Sequence, residues 1–266
     1  MSEKASLLSA QHLVKRFGNG FIAVDDVSIH VNAGETLGIV GESGSGKSTT
    51  AKMILRLIDA DAGEVTFDGL NLRRLRGKAL RDVRRRLQLV PQNPQTSFNP
   101  RLTIGESVAF NMRVHGVAKR DALARVPGLL DRVGIPAAHA VKSPRELSGG
   151  QLQRCAIARA LATDPSLVVC DEAVSALDKS VQAQVLNLFA QLQAETGVAF
   201  LFISHDLAVV EHIADRVVVM QQGKVVEEGT AAALWSSPQH EYTRSLLDAT
   251  PERILMRRAG IPAVAT

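Results

Sequence analysis

Cysteine is scarce. Cys155 and Cys170 are the only two in 266 residues, too few for a disulfide framework or a four-cysteine metal site, so both are expected buried and reduced. Long apolar runs are missing too: Val198–Ile203 and Val217–Met220 are strand length, far short of the ~18 residues that cross a bilayer. No apolar signal core follows Met1-Ser2-Glu3-Lys4, which gives the expectation of a chain that is not secreted. There is no internal repeat and no low-complexity tract. With 45% apolar and 22% charged residues, the composition argues against wholesale disorder, and the length fits one or two domains. The charge balance is only mildly basic, at +4 with pI ≈ 9.3. That suits anionic ligands or lipid headgroups and is no nucleic-acid signature by itself. The basic run Lys78, Arg81, Arg84, Arg85 and Arg86 has no interleaved aromatic residue, so base stacking has no support there. It reads as a solvated helix face, with contact to lipid headgroups or a partner protein as the alternative.

What is present is an α/β pattern. Short β-branched runs alternate with helical periodicity, which points to a mostly parallel sheet. Strands are expected at Thr36–Val40, Leu87–Val90, Leu167–Cys170, Val198–Ile203 and Val217–Met220. Each is apolar without strict alternation, as for strands covered on both faces. Val181, Val185, Leu188 and Leu192 make one helical stripe. Gly223, between Val217–Met220 and Lys224–Glu227, reads as a hairpin turn. From about Arg101 to Pro144 the pattern is helical, without convincing strands, and broken by Pro127, Pro136 and Pro144: a helical insertion in an α/β core. Beyond Trp235 the chain is expected to leave the core pattern, with residues 257–266 frayed.

Four motifs carry chemistry. Gly41-Glu42-Ser43-Gly44-Ser45-Gly46-Lys47-Ser48 matches the phosphate-binding P-loop in full, between a strand and a helix beginning near Lys47. Its glycines let backbone N–H groups turn inward around an anion, and the helix start adds partial positive charge. Lys47 would reach the β- and γ-phosphates, and the Ser48 hydroxyl would bind Mg²⁺. Leu167–Cys170 ends in Asp171 and Glu172, at the strand edge where ligands of open α/β sheets bind. Asp171 is placed to hold Mg²⁺, directly or through water, and Glu172 to polarise an attacking water. The last strand before Ser204-His205-Asp206 brings His205 to the same edge, where it would contact the γ-phosphate. Leu147-Ser148-Gly149-Gly150-Gln151 precedes a helical run. Ser148 is either a simple cap or part of a second anion-binding helix start. One copy of the chain has no evident use for a second such site, which suggests a second subunit.

In this order these motifs, with Ser175-Ala176-Leu177-Asp178, resemble an ABC transporter ATP-binding subunit over about residues 7–235. The resemblance implies a P-loop ATPase core with an antiparallel β portion. A helical subdomain of about 92–163 is inserted in a domain spanning 1–235, and 236–266 is a short C-terminal extension. It implies ATP and Mg²⁺ as ligands. It also implies a head-to-tail dimer in which each nucleotide lies between the P-loop of one subunit and Ser148, Gly149, Gly150 and Gln151 of the other. The nucleotide-binding set then runs through Thr49, with Glu172, His205 and Lys47 as catalytic residues. Gln92 corresponds to the glutamine that touches Mg²⁺ and senses the transmembrane partner. Phe17 stands where the family stacks an aromatic on adenine, a core phenylalanine being the alternative. Asp178 corresponds to an aspartate that communicates across the dimer.

The sequence is more narrowly similar to the branch serving dipeptide, oligopeptide and nickel importers. Gln92 to Arg101 resembles that branch's extension after the glutamine, Val181 to Asn187 follows as it does there, and Ser237 to Leu247 is similar to its C-terminal segment. Glu241 replaces the usual proline, Ala173-Val174 stand where many relatives have Pro-Thr, and the cysteine-rich tail that holds an iron–sulfur cluster in some relatives has no counterpart. The resemblance implies an ATPase driving import of a small solute, most naturally a di- or oligopeptide, from the cytoplasmic face of the inner membrane. Its partners are transmembrane permease subunits and, indirectly, an extracytoplasmic solute-binding protein, with no nucleic acid. Exporter ATPases and soluble ABC ATPases acting on DNA or ribosomes are the rival classes. The extension after Gln92 and the tail argue against the first. A single cassette without coiled coils or zinc insertions argues against the second.

Overall fold

The computed structural model describes residues 6–18 and 20–250. These fall into two compact units, Met1–Arg73 with Leu201–Thr266, and Arg74–Phe200. The first unit opens with β1 (Ser6–Arg16), β2 (Ile22–Asn32), β3 (Thr36–Val40), α1 (Lys47–Ile54), β4 (Ala62–Phe67) and β5 (Leu70–Asn71). An antiparallel sheet has the order β2-β1-β4-β5. Only the family resemblance announces it, and β1 shows why. Leu8 and Ala10 are buried on one parity and Leu13 on the other, because the register shifts between Ala10 and Leu13. His12, at that bulge, has φ 53. A period of two that changes parity inside a strand escapes a pattern reading.

The second unit contains α2 (Gly77–Arg86), β6 (Leu87–Val90), α3 (Pro94–Ser97), α4 (Ile104–Val114), α5 (Lys119–Arg132), α6 (Gly149–Leu161), β7 (Leu167–Asp171) and α7 (Lys179–Thr196). β6 and β7 pair in parallel, Leu87 opposite Leu167 and Val90 opposite Cys170. The basic run lies on α2, where Val83 is the buried residue. On α7, Val185, Leu188 and Leu192 are buried and Val181 half-buried, the stripe its spacing predicts. Pro136 and Pro144 stand at the starts of short 3-10 turns, but Pro127 does not break its helix: it lies inside α5. Ala122, Val126, Leu129 and Leu130 form the buried face of α5. Pro127 is exposed, so the hydrogen bond it forfeits is lost on the watered side, where a carbonyl is satisfied by solvent. Arg159 of α6 donates to Ser97 O at 2.8 Å and to Ser97 Oγ at 3.0 Å, and its guanidinium sits 4.4 Å over the Phe98 ring. Burial pushes the Cys155 thiol up to about 12 and Cys170, where the Asp171 charge adds to burial, well above its ordinary value. Both are free, buried thiols.

The division between the units falls inside β8 (Ala199–Ile203), whose five residues are all buried. The first unit then resumes with α8 (Leu207–Ile213), β9 (Arg216–Gln221), β10 (Lys224–Thr230), α9 (Ala231–Ser236) and α10 (Glu241–Asp248). β3, also wholly buried, pairs in parallel with β9, Leu37 opposite Arg216 and Val40 opposite Val219. A Cβ on Gly38 would lie 2.3 Å from Val210 Cγ1, so glycine in β3 is what lets α8 pack this close. β9 and β10 form the expected hairpin, with Gln222 at φ 49 and Gly223 at φ 81, the positive-φ pair that matches strand twist.

One expectation is overturned here. The chain does not leave the core after Trp235. Tyr242 and Leu247 of α10 are buried in one cluster with Val40, Val217, Val219 and Leu234. Only Tyr242, Thr243 and Leu247 of its eight residues are buried, too short a stripe to register as a core helix. Residues 257–266, expected to fray, lie outside the described residues.

Candidate functional site

In the first unit, the loop from Gly41 to Ser48 joins β3 to α1. Gly41, Gly44 and Gly46 adopt φ of 148, 82 and 101, conformations that side chains resist. At Gly41 a Cβ would lie 2.1 Å from Met220 O, and at Gly46 2.5 Å from Ala23 O. Backbone packing from behind therefore forces glycine at both positions, and Glu42, Ser43 and Gly44 are left exposed. The Lys47 side chain is 4% exposed. Its ammonium donates to Gly41 O and Glu42 O, each at 2.7 Å, and to Ser45 Oγ at 3.2 Å. The buried ammonium thus has three neutral oxygens among its partners. The N-cap of α1, Gly46, supplies no side-chain cap. The first-turn amides of Lys47, Ser48 and Thr49 therefore begin a helix whose end invites an anion. Phe17, near the tip of the β1–β2 hairpin, is 45% exposed, so it is not a core phenylalanine, and Lys15 Nζ lies 5.9 Å from its ring centre. His205 follows β8 on an exposed turn. The turn is fixed by Ser204 N–H donating to Ile39 O at 3.1 Å and by Asp206 capping α8 through Ala208 N–H at 3.0 Å.

In the second unit, β7 ends at Asp171 and the chain turns at Glu172, a non-glycine residue at φ 49. Strain of this kind persists where surrounding contacts over-determine it and concentrates at functional sites. Glu172 O accepts from Ser175 N–H at 3.1 Å and Ser175 Oγ–H at 3.0 Å. Gln92 Nε2 donates to Glu172 Oε2 at 2.6 Å. A carboxylate only accepts, so the Gln92 amide must present its NH₂ to Glu172. Its oxygen, the atom a cation would use, is the free end of that group's chemistry.

Asp178 caps α7, accepting from Val181 N–H at 2.9 Å. Ser148 and Gln151 form a reciprocal capping box on α6: Ser148 Oγ accepts from Gln151 N–H at 3.3 Å, and Gln151 Oε1 from Ser148 N–H at 3.1 Å. The cap reading of Ser148 thus holds in the single chain. The two glycines differ. A Cβ on Gly150 would lie 2.6 Å from Val181 Cγ1, whereas one on Gly149 would meet nothing within 4 Å. Crowding explains Gly150 and leaves Gly149 unexplained by the chain's own packing.

Among the described residues no group of three or more His, Cys, Asp or Glu side chains could hold a metal ion unaided. A Mg²⁺ that takes most of its ligands from phosphates and water needs no such cluster.

The sequence pattern of the family described as ABC transporter matches residues 24–175, more than half of the chain. The chain belongs to the ABC transporter family. This ABC chain is 51% identical over 240 residues, 90% of its length, to a glutathione import ATP-binding protein GsiA of Pectobacterium atrosepticum, and 50% identical over the same share to the GsiA of Escherichia coli K12. The matched stretch is 38% of those relatives, so the chain spans about two fifths of the curated proteins it matches. Among solved structures it is similar to cbiO1 of Clostridium perfringens, part of the ABC transporter complex cbiONQ. The TM-score is 0.80 at 25% identity, over 96% of this chain and 100% of that one. It is also similar to the ATP-binding cassette MJ0796, solved as a post-hydrolysis dimer with ADP and Pi, at TM-score 0.76 and 29% identity over 84% of this chain and 98% of that one. The α/β fold with its antiparallel sheet is therefore that of an ABC ATPase cassette.

Sequence reasoning places the Gly41–Ser48 loop between a strand and a helix, and Asp171 and His205 at strand ends, as the structure has them. It misses the Gln92–Glu172 hydrogen bond, whose partners are 80 residues apart. It also misses the hydrogen bond from Glu42 N–H to Tyr242 Oη, 200 residues apart, although Tyr242 lies in the Ser237–Leu247 segment that the resemblance singles out.

Proposed function

We propose that this ABC chain is the ATP-hydrolysing subunit of an importer, working at the cytoplasmic face of the inner membrane and peripheral to it. It drives a small solute through partner transmembrane subunits that an extracytoplasmic solute-binding protein feeds. The observation that carries this is its 51% identity, over 90% of the chain, to an import ATP-binding protein. Glutathione is a tripeptide, so a relative named for its import favours the peptide-sized solute over nickel. The dimeric MJ0796 cassette supports pairing with a second ATPase chain, identical or homologous, and the family resemblance implies that the pairing is head-to-tail. The layout follows the family: an ATPase domain over 1–235 with a helical subdomain of about 92–163, where α3 to α6 lie, and an extension from 236.

In this mechanism the Gly41–Thr49 loop binds phosphates through its amides. Lys47 moves from the Gly41 and Glu42 carbonyls to the β- and γ-phosphate oxygens. Phe17 offers an exposed ring to adenine. Ser48, Gln92 and Asp171 would hold Mg²⁺, which when bound neutralises developing phosphate charge. Glu172, aimed by Gln92, accepts the proton of the attacking water, and His205 holds the γ-phosphate side of that water. Ser148, Gly149, Gly150 and Gln151 serve the nucleotide of the opposite chain, and Asp178 lies at the pairing surface. Phosphoryl transfer rests on positioning and electrostatics, so Lys47→Ala should cut turnover in the purified transporter complex by about 10²-fold or more. ATPase activity within about twofold of the parent would overturn the assignment of this loop.

A further inference from the structure

The Glu42 amide does not face the phosphate cradle. It donates to Tyr242 Oη at 3.0 Å, across 200 residues of sequence. The peptide unit between Gly41 and Glu42 is therefore gripped on both edges. Its carbonyl, Gly41 O, accepts from Lys47 Nζ at 2.7 Å, and its N–H is bound by the phenol. In a trans peptide these groups point in opposite directions, so one rotation of the plane breaks both bonds. The lysine is the partner that must leave when phosphate arrives, and the tyrosine is the one that stays.

Tyr242 is built to stay. It is 8% exposed and packs in the cluster that includes Val40, the residue just before the loop. Its segment is tied down upstream: Glu227 of β10 accepts from Gln239 N–H at 2.7 Å and His240 N–H at 3.0 Å, and His240 Nδ1 caps α10 by accepting from Tyr242 N–H at 3.1 Å. Burial pushes the Tyr242 hydroxyl above its ordinary pKa, with the Glu42 carboxylate adding to it and the amide hydrogen bond opposing. The group at this position is thus a neutral phenol at physiological pH.

We propose that Tyr242 is a positioning residue of the nucleotide-binding loop. Its hydroxyl oxygen turns the Glu42 amide outward and fixes the Gly41–Glu42 peptide plane, making the C-terminal segment a working part of the ATP site. The inference rests on the nucleotide reading proposed above. Phosphates need the following loop amides turned inward together, and a first peptide free to rotate would let them disperse before binding.

The test uses the full chain with Tyr242→Phe, which keeps the ring in its cluster and removes only the acceptor. ATP affinity by titration calorimetry should weaken about 3- to 10-fold, as expected for one lost neutral hydrogen bond. Exchange of the Glu42 amide, followed by NMR, should quicken about tenfold. In the transporter complex the KM for ATP should rise more than kcat falls. Leu247→Ala, on the same helix, is the control. It should lower the melting temperature yet leave ATP affinity per folded molecule close to the parent's. If Tyr242→Phe leaves both ATP affinity and Glu42 exchange unchanged, the inference is overturned. If the two variants lose affinity only in proportion to their lost stability, it is overturned as well. A parent chain that binds no ATP overturns the nucleotide reading and this inference with it. A parent that binds ATP alongside an unaffected Tyr242→Phe overturns this inference alone.

Discussion

Gly150→Ala separates packing from ligand binding in the Ser148–Gln151 turn. Alanine in a helix is better than glycine by about 1 kcal/mol. Here, however, the new methyl would sit 2.6 Å from Val181 Cγ1, against the about 3.5–4.0 Å at which carbons rest. Val181 is β-branched and in the first turn of α7, so its χ1 has one strongly preferred setting and rotation gives little relief. The two helices must part by about 1 Å, an overpacking cost of about 1–3 kcal/mol. Net destabilisation should be about 0–2 kcal/mol. Val181→Ala deletes the obstructing methyl groups of a half-buried residue and should cost about 1 kcal/mol alone. The double variant should be more stable than the sum of the singles by about 1 kcal/mol or more. Urea unfolding of the four proteins measures this. Additivity within about 0.5 kcal/mol would refute the steric account of Gly150. Turnover of the same four proteins adds a second readout: activity that returns with stability means the glycine serves α7, and activity that stays low means it also serves an anion.

Other outcomes follow from the same geometry. Glu172→Gln still accepts from Gln92 but cannot take a proton, so it should retain ATP binding, lose hydrolysis and accumulate a nucleotide-bound dimer on gel filtration. Hydrolysis at the parent rate would remove Glu172 from the base role. Ser148→Arg should leave ATP affinity of the single chain near the parent's while abolishing ATP-driven pairing and turnover. A protein merely less stable by about 0.5–2 kcal/mol, with normal turnover per folded molecule, would mean that Ser148 is only the cap. Burial works to raise the Glu227 pKa, but the Thr243 hydroxyl and the Gln239 and His240 amides prevail and the net shift is downward. A lowered folded pKa contributes stability above the ordinary carboxylate value that is lost as pH falls through the folded one. Hydrogen exchange in Gln239–Asp248 should therefore quicken selectively as pH drops below that range, after correction for intrinsic rates. Unchanged protection there would contradict the tether.

The parts of the molecule legible in the sequence are those whose chemistry is local. Gly41 to Ser48 announces itself because one turn must combine positive φ, close backbone approach and a cation. β3, β7 and β8 announce themselves because strands covered on both faces are uninterrupted apolar runs. The β1 bulge at His12 hides a strand, the solvent-facing Pro127 imitates a helix break, and α10 buries too few residues to look like core. Contacts such as Gln92–Glu172 and Glu42–Tyr242 are products of the fold, joining positions whose local sequence says nothing of each other.

The Arg159 clamp has a mechanical consequence. The segment Pro94–Phe98 follows Gln92 and is bonded and stacked onto one end of α6, while Ser148 caps the other. α6 has thirteen residues, a rod of about 20 Å. Force applied at Phe98 is thus delivered at Ser148 with little loss, because two hydrogen bonds and a ring stack leave the segment almost no slack. The stiffness of this joint sets how much displacement at one end survives to the other, and Arg159 contributes to it through both hydrogen bonds and the stack.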